Sequence, residues 1–320
     1  MAGVEVEVPA EVKSIVNTWP SSNQLMILLG ATEKQIAYFA TLQKPSFTWM
    51  QTVNPLILEK PTVGLEGTVT AEELLALNPD LVITSSEKDA EAYRKAGLSA
   101  VCMMFNNFDG LKKSVTATAE ALGDDAPARA AAYIEYLDNN IRMVSERLAD
   151  VADADKPIVY YLDGQQGKTP YLTSGNGTMQ EEWIKMAGGK LATDGLLSGM
   201  TKEITPEQLL TLDPDYILVG GLNQHTAYEA LMNDAALSGL TAIKENRVIR
   251  IPQGTFQWCR FGSEAALQVV WAAKTLYPEK FEDIDMKEET IAFYKKFLDY
   301  DLSDEYAEAI LAGKNSPTGK

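Results

Sequence analysis

Four aromatic side chains, Trp19, Phe105, Phe256 and Trp258, fall just after stretches that read as strands. In open α/β sheets that edge is where ligands bind. An aromatic face there works by contact area and ring electrostatics, not by making bonds; each of the four could equally anchor a loop. Groups able to do covalent chemistry are scarce. There is no Gly-x-Ser-x-Gly elbow, and a single histidine leaves little room for a Ser/His/Asp triad.

That histidine, His225, has no second histidine or cysteine cluster with which to build a zinc site. It reads as a polar loop residue, with an axial contact to a chelated iron as the sharper alternative. Cys102 and Cys259 give neither a disulfide framework nor metal-ligand spacing. Gly164-Gln165-Gln166-Gly167-Lys168-Thr169 resembles a phosphate loop, but the position where its first glycine belongs is Leu162 and Pro170-Tyr171-Leu172 reads as a strand. The pattern fails, and a hairpin turn is expected. Asn176-Gly177-Thr178 matches a glycosylation sequon and is read as a turn feeding a helix.

The elements that hold these residues are organised by a duplication. Val69–Ile83 and Ile204–Leu218 match at Thr, Glu, three Leu, Pro and Asp with a constant displacement of 135 residues. In each copy Thr70 or Thr205 can cap a short helix, with Glu73 or Gln208 completing a capping box. Pro206 suits a first helical position. Asn78-Pro79 and Asp213-Pro214 stop the helix, and a short apolar run follows as a buried strand. A repeat this far apart is a duplicated lobe, since solenoid periods are much shorter.

Further strands are expected at Val12–Val16, Ile36–Ala40, Ala100–Met104, Ile158–Leu162, near Tyr171-Leu172 and at Arg247–Ile251. Helices are expected through Leu25 and Leu29, Lys88–Ala96, Trp183 and Met186, and Ala265 to Trp271. The stretch around Trp49 and Pro55 reads as irregular. Glu288–Leu311 reads as two amphipathic helices, and Asn315–Lys320 as a frayed end. Strands alternating with helices point to parallel α/β units. From Pro127 to about Ala149, Ile134, Leu137, Ile141, Val144 and Leu148 share one face of a single helix roughly 35 Å long. It lies between the two copies and reads as a strut. The expected division is an N-terminal lobe over 1–126, a connecting helix over 127–150 and a C-terminal lobe over 151–320.

The totals agree. A chain of 320 residues suits two domains. A net charge of −17 disfavours nucleic acid and anionic membranes. No apolar run approaches the roughly 18 residues of a spanning helix. Met1-Ala2-Gly3-Val4-Glu5 has no signal-peptide pattern.

The two repeat copies, the strut and the closing Trp271-Ala272-Ala273-Lys274-Thr275-Leu276-Tyr277-Pro278 together resemble the metal-chelate class of ABC-transporter substrate-binding proteins, from Val8 to about Gly313. Phe293-Tyr294-Lys295-Lys296-Phe297 with Leu302-Ser303-Asp304-Glu305 is similar to its iron-complex binders. The resemblance implies two Rossmann-like α/β lobes with parallel sheets, joined by one long helix, with the ligand cleft between them. It implies a periplasmic or cell-surface monomer, lipid-anchored or free, that delivers an iron complex of the siderophore type, or haem or cobalamin, to an ABC permease. It also implies that Glu72 and Glu207, one per repeat copy, pair with arginines of that permease. Helix capping alone would also account for both carboxylates. Where relatives often read Trp-Asp-Arg-Pro, this chain has Trp258-Cys259-Arg260-Phe261.

On this reading Trp19, Phe105, Phe256 and Trp258 pack on the ligand. Asn106, Asp163, Gln165, Asn176, Gln253 and Arg260 orient it, and His225 is a further candidate contact. No catalytic group, resident cofactor or bare-metal site is expected. An enzyme using the same cleft and a ligand-sensing ectodomain are the rival classes.

Overall fold

The computed structural model describes residues 4–317. In the first lobe five parallel strands, β1 (Ile15–Asn17), β2 (Gln35–Phe39), β3 (Thr62–Val63), β4 (Leu81–Thr84) and β5 (Ala100–Cys102), run in the order β3-β2-β1-β4-β5. The second lobe contains β6 (Ile158–Asp163), β7 (Leu172–Thr173), β8 (Lys190–Leu191), β9 (Lys202–Glu203), β10 (Tyr216–Gly220) and β11 (Val248–Arg250). Its parallel sheet has the order β11-β10-β6-β8, and β7 pairs antiparallel with β9 alone. The hairpin expected at Gly164–Gly167 is therefore absent: β7 takes a partner from a later segment.

Alternation along the strands divides the core. Ile15, Leu81 and Ile83 of the first sheet, and Val159, Tyr161 and Leu218 of the second, belong to one continuous apolar cluster shared with the strut and the tail helices. Their neighbours face away. Val16 and Val82 pack with Leu74 and Tyr93, while Tyr160, Leu162, Ile217 and Val219 pack with Leu209. Each repeat helix thus covers the far side of its own sheet, and Leu74 and Leu209, both fully buried, each contribute roughly 1.5–3 kcal/mol.

The repeat copies match in detail. Helices Ala71–Leu77 and Pro206–Leu212 both start with a complete capping box, Thr70 with Glu73 and Thr205 with Gln208. Both end in a left-handed residue, Asn78 (φ 48°) and Asp213 (φ 34°), types that tolerate that region better than most. The aspartate after the proline then clamps the neighbouring strand. Asp80 Oδ2 accepts from the Lys13 and Ser14 N–H groups at 2.8 Å each, and Asp215 Oδ2 accepts from the Ile158 N–H at 2.7 Å. This clamp also explains why β1 begins at Ile15 and not Val12: the N–H groups before it serve a carboxylate.

The strut is Ala126–Arg147, 22 residues and about 33 Å long. It binds the second lobe along its length, with Tyr133 Oη donating to the Ser263 carbonyl at 2.8 Å and Asn140 Nδ2 to the Ala266 carbonyl at 2.9 Å. Helix Phe108–Leu122 lies beside it and has no counterpart among the sequence expectations. Its signals were present: Asn107 caps it, and Phe108, Leu111, Val115, Ala119 and Leu122 are its buried face. The region around Trp49 is helical, not irregular, at Thr48–Val53 and Leu56–Glu59. Helices Met286–Phe297 and Asp304–Leu311 form the tail; of the frayed end expected over Asn315–Lys320, residues 318–320 lie outside the described residues.

The tail belongs to both lobes. Trp49 Nε1 of the first donates to the Lys314 carbonyl at 2.7 Å, and the Gln253 N–H of the second donates to the Ile310 carbonyl at 3.0 Å. No helix among the described residues is long and apolar enough to cross a membrane.

Candidate functional site

Strands β1, β5, β6, β10 and β11 all run their carboxyl ends towards the seam between the lobes, and both sheets reverse strand order there, at β1/β4 and at β6/β10. A cavity of about 390 Å³ opens at this seam. The first lobe lines it with Trp19, Ser21, Thr41, Lys44, Ser46 and Phe47, and the second with Gln165, Leu222, Phe256, Gln257, Arg260 and Phe261. A larger hollow of about 640 Å³ lies along the seam of helices Phe108–Leu122 and Ala126–Arg147, remote from the strand ends and lined mainly by aliphatic and acidic groups.

Trp19 and Phe261 form the floor, backed by Phe105. Trp19 meets Phe105 edge-on at 5.4 Å and Phe261 at 5.9 Å, and Phe105 meets Phe261 edge-on at 5.8 Å. Phe47 and Phe256 stack across the lobes at 6.4 Å. Into this apolar setting the loop after β11 brings one cation. Arg260 Nη2 donates to Asp163 Oδ2 at 2.9 Å, with the Asp163 side chain fully buried and that of Arg260 only 11% exposed. Asp163 also accepts from Thr201 Oγ1 at 2.8 Å and from the Gln165 N–H at 3.0 Å. Arg260 Nε is buried with no hydrogen-bond partner. Burial works against the charge, but Tyr161, Asp163 and Cys259 outweigh it and hold the Arg260 guanidinium above its ordinary pKa. Cys259 is buried with Sγ 3.4 Å from Tyr161 Oη, and burial pushes its thiol pKa up.

Below the cavity a second polar group ties the lobes together. Gln24, from helix Asn23–Leu28 of the first lobe, bonds through its amide to Thr255 and Glu264 of the second. Glu264 is fully buried and accepts from Tyr294 Oη at 2.5 Å, Thr255 Oγ1 at 2.8 Å and the Phe256 N–H at 3.0 Å. Burial pushes its carboxyl pKa up against those donors. Gly254 is required here, because a Cβ at that position would collide with the Glu264 carboxyl group.

Of the residues singled out in the sequence, Trp19, Gln165, Phe256 and Arg260 line the cavity. Phe105 and Asp163 stand directly behind it, against Trp19 and Arg260. The others are placed elsewhere. Asn106 is exposed and reaches across the seam to the Gly177 carbonyl at 3.4 Å. The Asn176 amide is consumed by Glu181 and Asp194, which shape the turn into helix Met179–Met186. Gln253 is buried and accepts from Gln224 Nε2 at 3.3 Å. Trp258 is wholly buried, because the segment folds back through a Gln253–Gln257 bridge before reaching it. His225 is no loop residue: it lies in the first turn of helix Gln224–Met232, exposed and 3.1 Å from Glu229. Glu72 and Glu207 are exposed in the first turns of the two repeat helices.

Phe47, Lys44 and Phe261 were missed. Phe261 had a signal, being next to Arg260; Phe47 lay in the stretch read as irregular. Among the described residues no cluster of three His, Cys, Asp or Glu could hold a bare metal ion.

The molybdate-binding protein MolA of Haemophilus influenzae is 24% identical over 323 residues, covering 92% of this chain and 88% of that protein. Its molybdate-bound structure superposes with a TM-score of 0.80 at 21% identity, covering 94% and 97% of the two chains. A periplasmic solute-binding protein of Veillonella parvula superposes with a TM-score of 0.82 at 22% identity over 99% and 97%. The iron(3+)-hydroxamate-binding protein YxeB of Bacillus subtilis is 23% identical over 190 residues, 56% of this chain and 57% of that protein. These are binding and transport proteins, not enzymes. The periplasmic binding protein pattern matches residues 15–255, and the chain therefore belongs to that family, whose members work outside the cytoplasm and deliver small ligands to ABC-transporter permeases.

Proposed function

We propose that the protein captures a compact anionic metal chelate, an iron complex of the siderophore type, between its lobes and hands it to an ABC importer. The observation that carries this is Arg260, a buried guanidinium with one edge on Asp163 and an unpartnered Nε, beside a cavity walled by Trp19, Phe47, Phe256 and Phe261. The planar fork suits a carboxylate or catecholate, and the rings give contact area to a ligand with an organic frame. At about 390 Å³ the cavity lies near the small end of ligand pockets, which span about 300–1,000 Å³, so a compact chelate fits better than haem or cobalamin. His225, exposed on its helix, offers a haem no axial contact there. Lobe movement is modest, restrained by the strut, the Gln24–Glu264 contact and the tail.

The second reading is a bare oxyanion, favoured by the similarity to MolA. Against it, Arg260 is already paired with Asp163, which leaves Lys44 as the other cation at the cavity, and a bare dianion would gain little from four rings.

A thermal-shift screen with ferric hydroxamates and catecholates, molybdate, haem and cobalamin separates these readings. A ligand at a hundredfold excess over its dissociation constant stabilises the folded state by about 2.7 kcal/mol. Arg260→Lys keeps the charge beside Asp163 and loses the fork, so affinity for the chelate falls at least about tenfold. A shift with molybdate alone would replace the chelate by the oxyanion. We further assign Glu72 and Glu207 to permease docking: charge reversal at both stops transport and leaves ligand binding intact, whereas a sensing ectodomain would show no such split.

A further inference from the structure

Seven residue pairs match between the repeat copies, although the helices differ at Ala71/Pro206, Glu73/Gln208, Ala76/Thr211 and Asn78/Asp213. Five of the seven have a task inside the fold. Thr70 and Thr205 cap their helices. Leu74 and Leu209 are fully buried under the sheets, and Leu77 and Leu212 pack at the margins of the same clusters. Pro79 and Pro214 are buried where the helices end, and Asp80 and Asp215 clamp the adjacent strands.

Two pairs have no such task. Glu72 and Glu207 are exposed and make no side-chain hydrogen bond or ion pair among the described residues. Leu75 and Leu210 are 46% and 40% exposed, two of the few large apolar side chains that face solvent. Each leucine follows its glutamate by three positions, which on a helix makes the pair neighbours on one face. The helix N-terminus favours a carboxylate at 72 and 207 without requiring one, and nothing in the fold explains the exposed leucines, yet both copies keep both. A surface leucine held at the same place on each lobe, beside an unpaired carboxylate, matches a partner that presents the same basic-rimmed apolar hollow twice.

We infer that Leu75 and Leu210 are the apolar anchors of a duplicated docking surface, and that the partner is a pair of equivalent membrane subunits, each receiving one glutamate and one leucine. The inference rests on the docking reading of Glu72 and Glu207 and adds to it the groups that give the contact its salt-resistant part. The carboxylates steer and orient, and ionic strength screens them. The leucines contribute by area, which salt does not screen.

The test is binding of the wild-type protein and its variants, without added ligand, to its ABC permease reconstituted in lipid nanodiscs, as a function of salt. Leu75→Ser and Leu210→Ser each weaken binding about tenfold, the effect of leaving most of a leucine side chain unburied, and the double variant weakens it by about the product. Both keep the wild-type salt dependence and melting temperature, and Leu75→Met and Leu210→Met bind as wild type. Glu72→Gln with Glu207→Gln weakens binding and flattens its salt dependence. Should the serine variants bind like wild type while the glutamine pair does not, the leucine anchors are wrong and the docking glutamates stand. If neither set changes binding, or the wild-type protein binds no importer of its own cell, both ideas fall.

Discussion

Strand pairing sets the two lobes in register: Ile15 lies beside Leu81 in one, and Val159 beside Tyr216, the repeat equivalent of Leu81, in the other. Four residues further along the chain, the first lobe has Trp19, just past the end of β1, and the second has Asp163, the last residue of β6. One position of the shared scaffold therefore carries an aromatic wall on one side of the cleft and the counter-charge of Arg260 on the other. The outward faces have diverged far less, keeping caps, clamps and an exposed glutamate–leucine pair in both copies. Duplication preserved what both lobes need, and divergence at the strand ends put an aromatic ring in one lobe where the other has a buried carboxylate.

The largest test of that asymmetry is Asp163→Ala. It leaves Arg260 a buried cation without its partner, so stability falls by about 3–5 kcal/mol in urea unfolding. Asp163→Leu combined with Arg260→Met removes both charges and recovers most of the loss. Equal loss in the single and the double variant would mean that Asp163 acts through Thr201 and Gln165, not through Arg260.

A smaller effect probes the symmetric half. Thr70→Ala and Thr205→Ala each cost about 1 kcal/mol, nearly the same in the two lobes, because each hydroxyl accepts one N–H at 3.2 Å, from Glu73 or Gln208. A large difference between them, read from denaturant midpoints, would show that the outer faces are less equivalent than their geometry.

The smallest expected effect separates the caps by pH. Hydrogen bonds from the Thr70 and Gly64 N–H groups hold the Glu73 carboxyl below its ordinary value of 4.5. A depressed folded-state pKa means that this stabilisation is complete above the unfolded value and disappears as pH falls through the folded one. Gln208 fills the same place in the second lobe and does not titrate. Glu73→Gln should therefore flatten slightly the loss of stability below about pH 4.5. Identical acid profiles for the variant and the wild type would remove Glu73 from the account.

Legibility in the sequence followed locality. The capping boxes, the strut and both repeat strands could be read because each is determined within a few residues by spacing and turn chemistry. In the cavity lining, the positions of Trp19, Gln165, Phe256 and Arg260 were legible because each follows a readable strand. Two others lie away from the cavity: Trp258 and His225 also follow strands, but a backbone bridge turns one inwards and an unforeseen helix turns the other out to solvent. Asn176 and Gln253 look available in sequence and are occupied by partners in the fold.

Fold class, the duplication and the outward position of Glu72 and Glu207 were determined by the sequence alone, because helix caps, proline stops and apolar periodicity act locally. The tertiary structure decided which side chains meet across the seam. Phe47 on Phe256, Gln24 on Glu264 and Trp49 on the tail join residues more than two hundred positions apart, pairings that no local rule encodes.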